Sequence, residues 1–457
     1  VPDLGVRPVA RTEPSDASAL DGGAGQWPSD TWWERFGDPQ LNALVDEALA
    51  GAPTLAVAQA RLREASARAD VSRADRLPSL DLSGSVTREK LSYNSIFPAA
   101  QTPHGWNDMG RVSASFNWEL DFWGKNRKAF DAAVSQARAS EADLAAARLM
   151  LTTNVVDAYL RLQLAFDRQD VAAETLHNRQ ASADLVTRRV AQGVDAQVST
   201  EEAAARVHVA ESDMGEASEN VVLSRNALAA LVGAGPDRGR RLSRPAAAAS
   251  LAIDAPDTVS ANLLGRKPEV VAARWRVEVA ASRVGVAKTA FYPDINLKAV
   301  IGLESLGLGR LSDAGSDTGS VGPAFRLPLF EGGRLKANYR AAGAEYDAAV
   351  ASYDEALTRA LRDAADALGS LAAIGPRLVA TDAALVRSRE AYRLAKRRYE
   401  GGLSDYQSVL TAEDALLNVR VADTTLRIRG LSTNVALVRA LGGGYQTPSP
   451  FPGVHHD

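Results

Sequence analysis

Apolar and polar residues alternate without a break from Arg111 to Phe122. Val112, Ala114, Phe116, Trp118, Leu120 and Phe122 fall on one face of an extended segment, and Arg111, Ser113, Ser115, Asn117, Glu119 and Asp121 on the other. That period of two predicts a β-strand. Leu80, Leu82 and Val86 alternate with Asp81, Ser83, Ser85 and Thr87 in another strand. Ile295, Leu297, Ala299, Ile301 and Leu303 mark one face of a third, and Val321, Pro323, Phe325, Leu327 and Leu329 read as a fourth. Strands of about 9 to 12 residues with one lipid-compatible and one wet face are the signature of a transmembrane β-barrel; a soluble sandwich would bury the same face on a second sheet. Pro323 and Pro328 call for an edge or a bulge, because proline has no N–H for a ladder.

Elsewhere the period is that of a helix. No glycine or proline occurs from Asn126 to Gln192, and a continuous helix of that extent would reach about 100 Å. Within it Leu151, Val155, Ala158, Leu162 and Ala165 step by four and three. Val207, Ala210, Met214, Ala217, Val221, Ser224, Leu228 and Leu231 keep the same spacing, as do Leu417, Val421, Thr424, Ile428, Leu431, Val435 and Val438. Such heptads mean helices wound side by side, and they favour the barrel over the sandwich. Gly375-Pro376 is expected to kink or break the second long helix, since proline cannot donate and clashes with the preceding turn.

The pattern occurs twice. Pro53 to Pro78 aligns without a gap on Pro268 to Pro293, 215 residues later, with Ala58/Ala273, Arg61/Arg276, Ala65/Ala280, Arg68/Arg283 and Val71/Val286 matched. Each of these segments predicts a helix stopped by its closing proline. Phe122-Trp123-Gly124 returns as Phe330-Glu331-Gly332, Ala191-Gln192-Gly193-Val194 as Glu400-Gly401-Gly402-Leu403, and Leu231-Val232-Gly233 as Leu441-Gly442-Gly443. Internal duplication explains these matches.

Composition then narrows the class. The 457 residues are 24% charged and 46% hydrophobic, with a net charge of −4 and no cysteine. No basic stripe is available for phosphates, which excludes nucleic acid as a partner. The lack of cysteine removes disulfides and thiolate chemistry and fits an exported protein. No run approaches the roughly 18 to 20 apolar residues of a spanning helix, so a membrane crossing must use strands. Val1 in place of Met points to a processed or trimmed chain, with any export signal upstream. Four strands cannot close, because barrels start at eight; two copies would give a side-chain-filled barrel and three would give twelve strands with a lumen. The expected fold is therefore mainly α with a transmembrane β part: a trimeric 12-stranded β-barrel, four strands per chain, continued by a long coiled-coil α-helical barrel. The polar faces, including Asp81, Glu119, Asp121 and Lys298, would look into water.

The residues also resemble the TolC-type outer-membrane efflux proteins, and more closely the OprM/NodT lipoprotein branch, over nearly the whole chain. Trp32-Trp33-Glu34-Arg35-Phe36-Gly37-Asp38-Pro39-Gln40-Leu41 looks like that branch's opening motif, and Leu120-Asp121-Phe122-Trp123-Gly124-Lys125 like its strand-to-helix junction. Gly322-Pro323 followed by Leu327-Pro328-Leu329-Phe330-Glu331-Gly332-Gly333-Arg334 is the most specific element. The resemblance implies a homotrimer in the Gram-negative outer membrane, with its helical part in the periplasm, docked on a periplasmic adaptor (membrane fusion protein) above an inner-membrane pump, usually of the resistance-nodulation-division class. It divides the chain into an N-terminal and equatorial start (1–52), α-barrel helices (53–78, 125–232, 263–293 and 333–441), barrel hairpins (79–124 and 294–332) and equatorial segments (233–262 and 442–457). It also implies an N-terminal lipid on a cysteine just upstream of Val1, a second anchor in outer-membrane lipid.

The turns Gly193-Val194-Asp195-Ala196 and Gly401-Gly402-Leu403-Ser404 close the first long helix of each copy. Glycine there can simply end a helix, but an exposed Val194 or Leu403 gains nothing unless a partner packs on it. By resemblance these are the adaptor-docking tips. Relatives carry gate aspartates six and nine residues past the tip glycine; the matching positions are Ser199, Ser408 and Thr411, so that role does not transfer. Asp405 and Tyr406, with Ser199, Ser408, Thr411 and Asp414, form the candidate constriction. His104, His177, His208, His455 and His456 show no metal spacing, and no phosphate loop, nucleophile elbow or HExxH motif occurs. Neither an enzyme, a cofactor nor a metal site is expected. The function so read is an outer-membrane exit channel for drugs or other small toxic molecules in a tripartite efflux system. The alternatives are a duct for metal ions or secreted polypeptides, or a structural coiled-coil surface protein, which would not need paired hairpins.

Overall fold

Punctuated by these prolines and glycines, the computed structural model describes residues 28–94, 96, 98–246 and 266–445. Val1 and its expected lipid, His455 and His456, and 247–262 and 446–457 of the expected equatorial segments lie outside the described residues. The order is α1 (Pro39–Gly51), α2 (Pro53–Ala74), β1 (Ser79–Glu89), β2 (Asn107–Glu119), α3 (Lys125–Ala191), α4 (Gln197–Leu231), α5 (Pro236–Arg240), α6 (Pro268–Thr289), β3 (Asp294–Leu306), β4 (Asp317–Arg326), α7 (Arg334–Glu400) and α8 (Tyr406–Leu441). The duplication is visible in the elements: α2 and α6 are each 22 residues long, and α3 and α7 are each 67. Contacts divide the chain into two units, one of Arg61–Ser140 and Ala272–Tyr353, the other of the described residues within Thr12–Ala60, Glu141–Val271 and Asp354–Asp457.

The first unit holds one antiparallel sheet in the order β1-β2-β3-β4. The register sets Leu80 opposite Phe116, Phe116 opposite Ala299 and Ala299 opposite Val321, while Trp118, Leu297 and Pro323 form the next row. Residues directly opposite share a face, so the alternation seen in single strands becomes one continuous apolar surface. Leu82 and Phe325 are both 79% exposed on it, and no second sheet is present among the described residues to cover it. The sandwich is thereby set aside. The other face carries Ser83 bonded to Ser113 (3.1 Å) and Arg111 paired with Glu304 (2.6 Å).

Some expectations are corrected. The helices α2 and α6 end at Ala74 and Thr289, a turn before Pro78 and Pro293, because a proline also biases the residue before it away from helix. β2 ends at Glu119, so Leu120 to Phe122 leave the strand, although the Leu120 N–H still donates to Ile295 (2.9 Å). Asp121 does not project from a wet strand face; its carboxylate accepts from the N–H groups of Asn126 (3.1 Å) and Arg127 (2.9 Å), starting α3. First-turn N–H groups have no intrahelical acceptor, which is why the acid is drawn there. β4 stops at Arg326, leaving Leu327 and Leu329 outside it, as the pyrrolidine of Pro328 removes the next donor. Pro323 lies within β4 without loss: Glu304 donates to Ser316 (2.8 Å), and bonded pairs alternate, so the pair Leu297/Pro323 is a non-bonded one. Its missing N–H faces the open edge.

Pro376 does not break α7, which is helical from Arg334 to Glu400. Ala372, whose carbonyl loses its donor, and its neighbours Ala373, Gly375, Pro376 and Arg377 are all exposed, so water can serve the freed oxygen.

The second unit is built on the predicted heptads. Ala210, Ala217, Val221 and Leu228 are buried along α4, and Ile428, Val435 and Val438 along α8, with Leu151, Val155 and Leu162 of α3. Val421 is the exception on its stripe, being exposed. Trp32, Trp33, Phe36, Leu41, Leu44 and Val45 join this core. Pro39 opens α1 at its first position, and Asp38 caps it by accepting from Gln40 N (2.9 Å). The same carboxylate accepts from the Tyr159 hydroxyl of α3 (2.5 Å) and from Ala246 N (3.0 Å), while Gln40 Oε1 accepts from Ser243 N (2.9 Å) and Oγ (2.7 Å). Burial, then the bond to Asp38, pushes the Tyr159 phenol above its usual range. The helix ends are fixed in the same way in both copies: a Cβ on Gly233 would lie 2.6 Å from the Gly51 carbonyl, and one on Gly442 3.1 Å from Lys267 Cα, both at positive φ. Only glycine allows that approach.

Tyr159→Phe is expected to lower the thermal midpoint of the detergent-purified protein, at a cost of about 1.5–3 kcal/mol for the lost hydrogen bond to the Asp38 carboxylate. Pro376→Ala is expected to raise the midpoint, by up to about 3 kcal/mol, because it restores a helix bond.

Candidate functional site

The two turns are built by one device. Gly193 and Gly402 both have φ of 73°. In the first turn Val194 N donates to Arg189 O (2.9 Å) and Gly193 N to Val190 O (2.9 Å). In the second, Leu403 N donates to Arg398 O (2.8 Å) and Gly402 N to Tyr399 O (2.9 Å). These are paired end-of-helix bonds that satisfy the last carbonyls of α3 and α7. The left-handed residue turns the chain so that the next side chain points outward: Val194 is 57% exposed and Leu403 73%. Gly401 and Ala196 are also exposed, and Ser404 is half-buried with its Oγ unpartnered among the described residues.

The copies differ in how the following helix begins. Asp405 caps α8, accepting from Ser408 N (2.9 Å) and Oγ (2.6 Å), and these bonds hold its carboxyl below the usual range. Ala196 stands at the corresponding place of α4 and makes no side-chain cap. The acid of the first turn, Asp195, is used differently. It pairs with Arg189 (2.9 Å) and accepts from the Tyr399 hydroxyl of α7 (2.6 Å), while Arg189 donates to the Tyr399 carbonyl (2.9 Å) and lies 4.4 Å from that ring's centre. The Arg189 bond, aided by Tyr399, holds Asp195 below the ordinary carboxylate range; burial and Asp195 push the Tyr399 phenol up. One arginine thus ties both turns.

Beneath the turns Val186, Ala203, Tyr399, Tyr406, Val409 and Leu410 form a closed apolar cluster. Tyr406 is 5% exposed and stacks at a tilt on Tyr399, 5.5 Å between ring centres, so its side chain belongs to the packing of its own chain. Ser199 is half-buried and Thr411 exposed, its hydroxyl bonding back to Gln407 O (3.0 Å). Asp414 meets Arg179 (3.1 Å) and Arg206 (3.4 Å). Asp405, Ser408 and Thr411 are therefore the exposed members of the candidate set. Arg189, Tyr399 and Arg179 were not among the residues the sequence pointed to, since a lone arginine or tyrosine on a charged helix carries no pattern. The spacing of Tyr399 three residues before Gly402 was the one available sign. Among the described residues no cluster of three His, Asp or Glu side chains is placed to hold a metal, and no helix is long and apolar enough to cross a membrane.

Comparison with known proteins agrees with this arrangement. A family model described as outer membrane efflux protein matches residues 44–234 and 259–443. The fusaric acid resistance protein FusA of Burkholderia cepacia is 36% identical over 346 residues, which are 72% of this chain and 64% of that protein. The multidrug resistance outer membrane protein MdtP of Escherichia coli strain K12 is 30% identical over 430 residues, 92% of this chain and 87% of its own. Among solved structures, the outer membrane protein VceC of Vibrio cholerae has a TM-score of 0.87 at 41% identity, covering 92% of this chain and all of that one (100%). With a four-stranded sheet whose apolar face is bare, two long helical pairs and matches across most of its length, the chain belongs to the outer membrane efflux protein family, as an outer-membrane channel and not an enzyme.

Proposed function

We propose that the chain is the exit duct of a tripartite efflux system. Three copies join β1 of one to β4 of the next, closing twelve strands around a lumen, and the helices continue the wall in the periplasm. Drugs or other small toxic molecules pass through it to the outside from an inner-membrane pump of the resistance-nodulation-division class and its periplasmic adaptor. The observation that carries this reading is the sheet itself: an exposed apolar face of membrane length, with β1 and β4 each left with one unpaired edge. In hydrocarbon such edges must find partners. The names of FusA and MdtP support small toxic molecules as cargo. A lipid on a cysteine upstream of Val1 would add a second anchor. Val194 and Leu403 are the adaptor contacts, being large apolar side chains held out at two fixed turns. The constriction is assigned to Asp405, Ser408 and Thr411, which three copies would turn into rings.

Deleting the gene is expected to lower the minimal inhibitory concentrations of several drugs and dyes. Wild type restores them, while the double variant Val194→Asp/Leu403→Asp, present at wild-type level in the outer membrane, does not. Full complementation by that variant would remove the docking role. The detergent-solubilised particle is expected to have three times the chain's mass by native mass spectrometry; a monomer or dimer sinks the trimer.

A further inference from the structure

Away from the turns, three helices of the second unit meet at a charged joint. Arg179 of α3 and Glu413 of α8 are 5% and 6% exposed. The Arg179 Nη atoms are engaged: one donates to Asp414 (3.1 Å) and the other to the carbonyl of Arg206 on α4 (3.5 Å). Arg206 also reaches Asp414 (3.4 Å). Glu413 is left with the poorest contact. Its carboxylate stands 3.6 Å from Arg179 Nε, beyond hydrogen-bond reach, and that buried Nε has no hydrogen-bond partner among the described residues. The buried hydroxyl of Tyr392, on α7, likewise has none. The other charged or titratable groups facing the joint are Glu174 on α3, Glu202 on α4, Lys396 and Glu400 on α7, and Tyr406 on α8.

An ionised carboxylate in this place is largely shielded from water and has no donor within hydrogen-bond reach among the described residues. Burial therefore raises Glu413 above the ordinary glutamate value of 4.5, against the smaller pull of Arg179 and Arg206. A carboxyl raised in this way prefers its proton in the packed joint. The joint is then tightest below the ordinary value and loses that advantage as pH rises through the raised one.

We propose that closing the joint of Arg179, Arg206, Glu413 and Asp414 takes up one proton, on Glu413, so that acid tightens α8 against α3 and α4 and a rise in pH loosens it. This rests on the channel reading insofar as α8 carries the constriction; the joint itself does not depend on it.

The test is hydrogen exchange of the full-length protein in detergent, read by mass spectrometry on peptides spanning 409–420 and corrected for the intrinsic pH dependence of exchange. Protection in the wild type is expected to fall roughly threefold or more between about pH 4.5 and about pH 7.5. Glu413→Gln is expected to stay protected at both. A flat wild-type profile, or a Glu413→Gln profile that still follows pH as the wild type does, overturns the proposal. If E413Q does not fold, the wild-type profile decides alone. Conductance of the same preparation in planar bilayers separates the two readings: a sample that never conducts counts against the channel, while the exchange profile still judges the joint.

Discussion

In a hydrocarbon layer an unpaired backbone N–H or C=O costs several kcal/mol, and the structure of this chain follows from meeting that demand with the four strands among the described residues. Within the sheet every internal ladder is complete, and the apolar rows set by the register of β1 to β4 make a surface that water would penalise and lipid would not. The two outer edges stay open. Pro323 shows how closely the chain is fitted to this state: it sits where its missing N–H costs the β3–β4 ladder nothing.

The helices meet a milder version of the same demand at their ends, where orphan N–H and C=O groups need partners. Asp121 serves the start of α3, Asp38 that of α1 and Asp405 that of α8. At the far ends of α3 and α7, Gly193 and Gly402 turn the chain back on itself. The duplication is broken where side chains take on tasks other than capping. Asp195 binds Arg189 and Tyr399, whereas its counterpart Ser404 has no such bond. The result joins the two turns through one half-buried arginine, a link that a symmetric pair of copies would not make.

Much of this was legible in the sequence because it rests on period. An alternation of two, heptads, paired prolines and repeated glycines each constrain the backbone locally, and all of them reappear as strands, coiled helices and turns. The boundaries that failed were those where a single contact overrides the pattern. β2 was read to Phe122, but Asp121 is drawn to the first turn of α3; Pro376 was read as a kink or a break, and the helix is not broken there, because exposure lets water serve the freed carbonyl.

The sequence by itself determined the element types, the duplication and the apolar strand faces, because backbone sterics and side-chain period act over a few residues. Tertiary structure alone decided which charges are joined. Arg189 to Tyr399, Arg179 to Glu413 and Tyr159 to Asp38 are pairs more than a hundred residues apart, and their energies depend on burial and on tenths of an ångström, which no local pattern records.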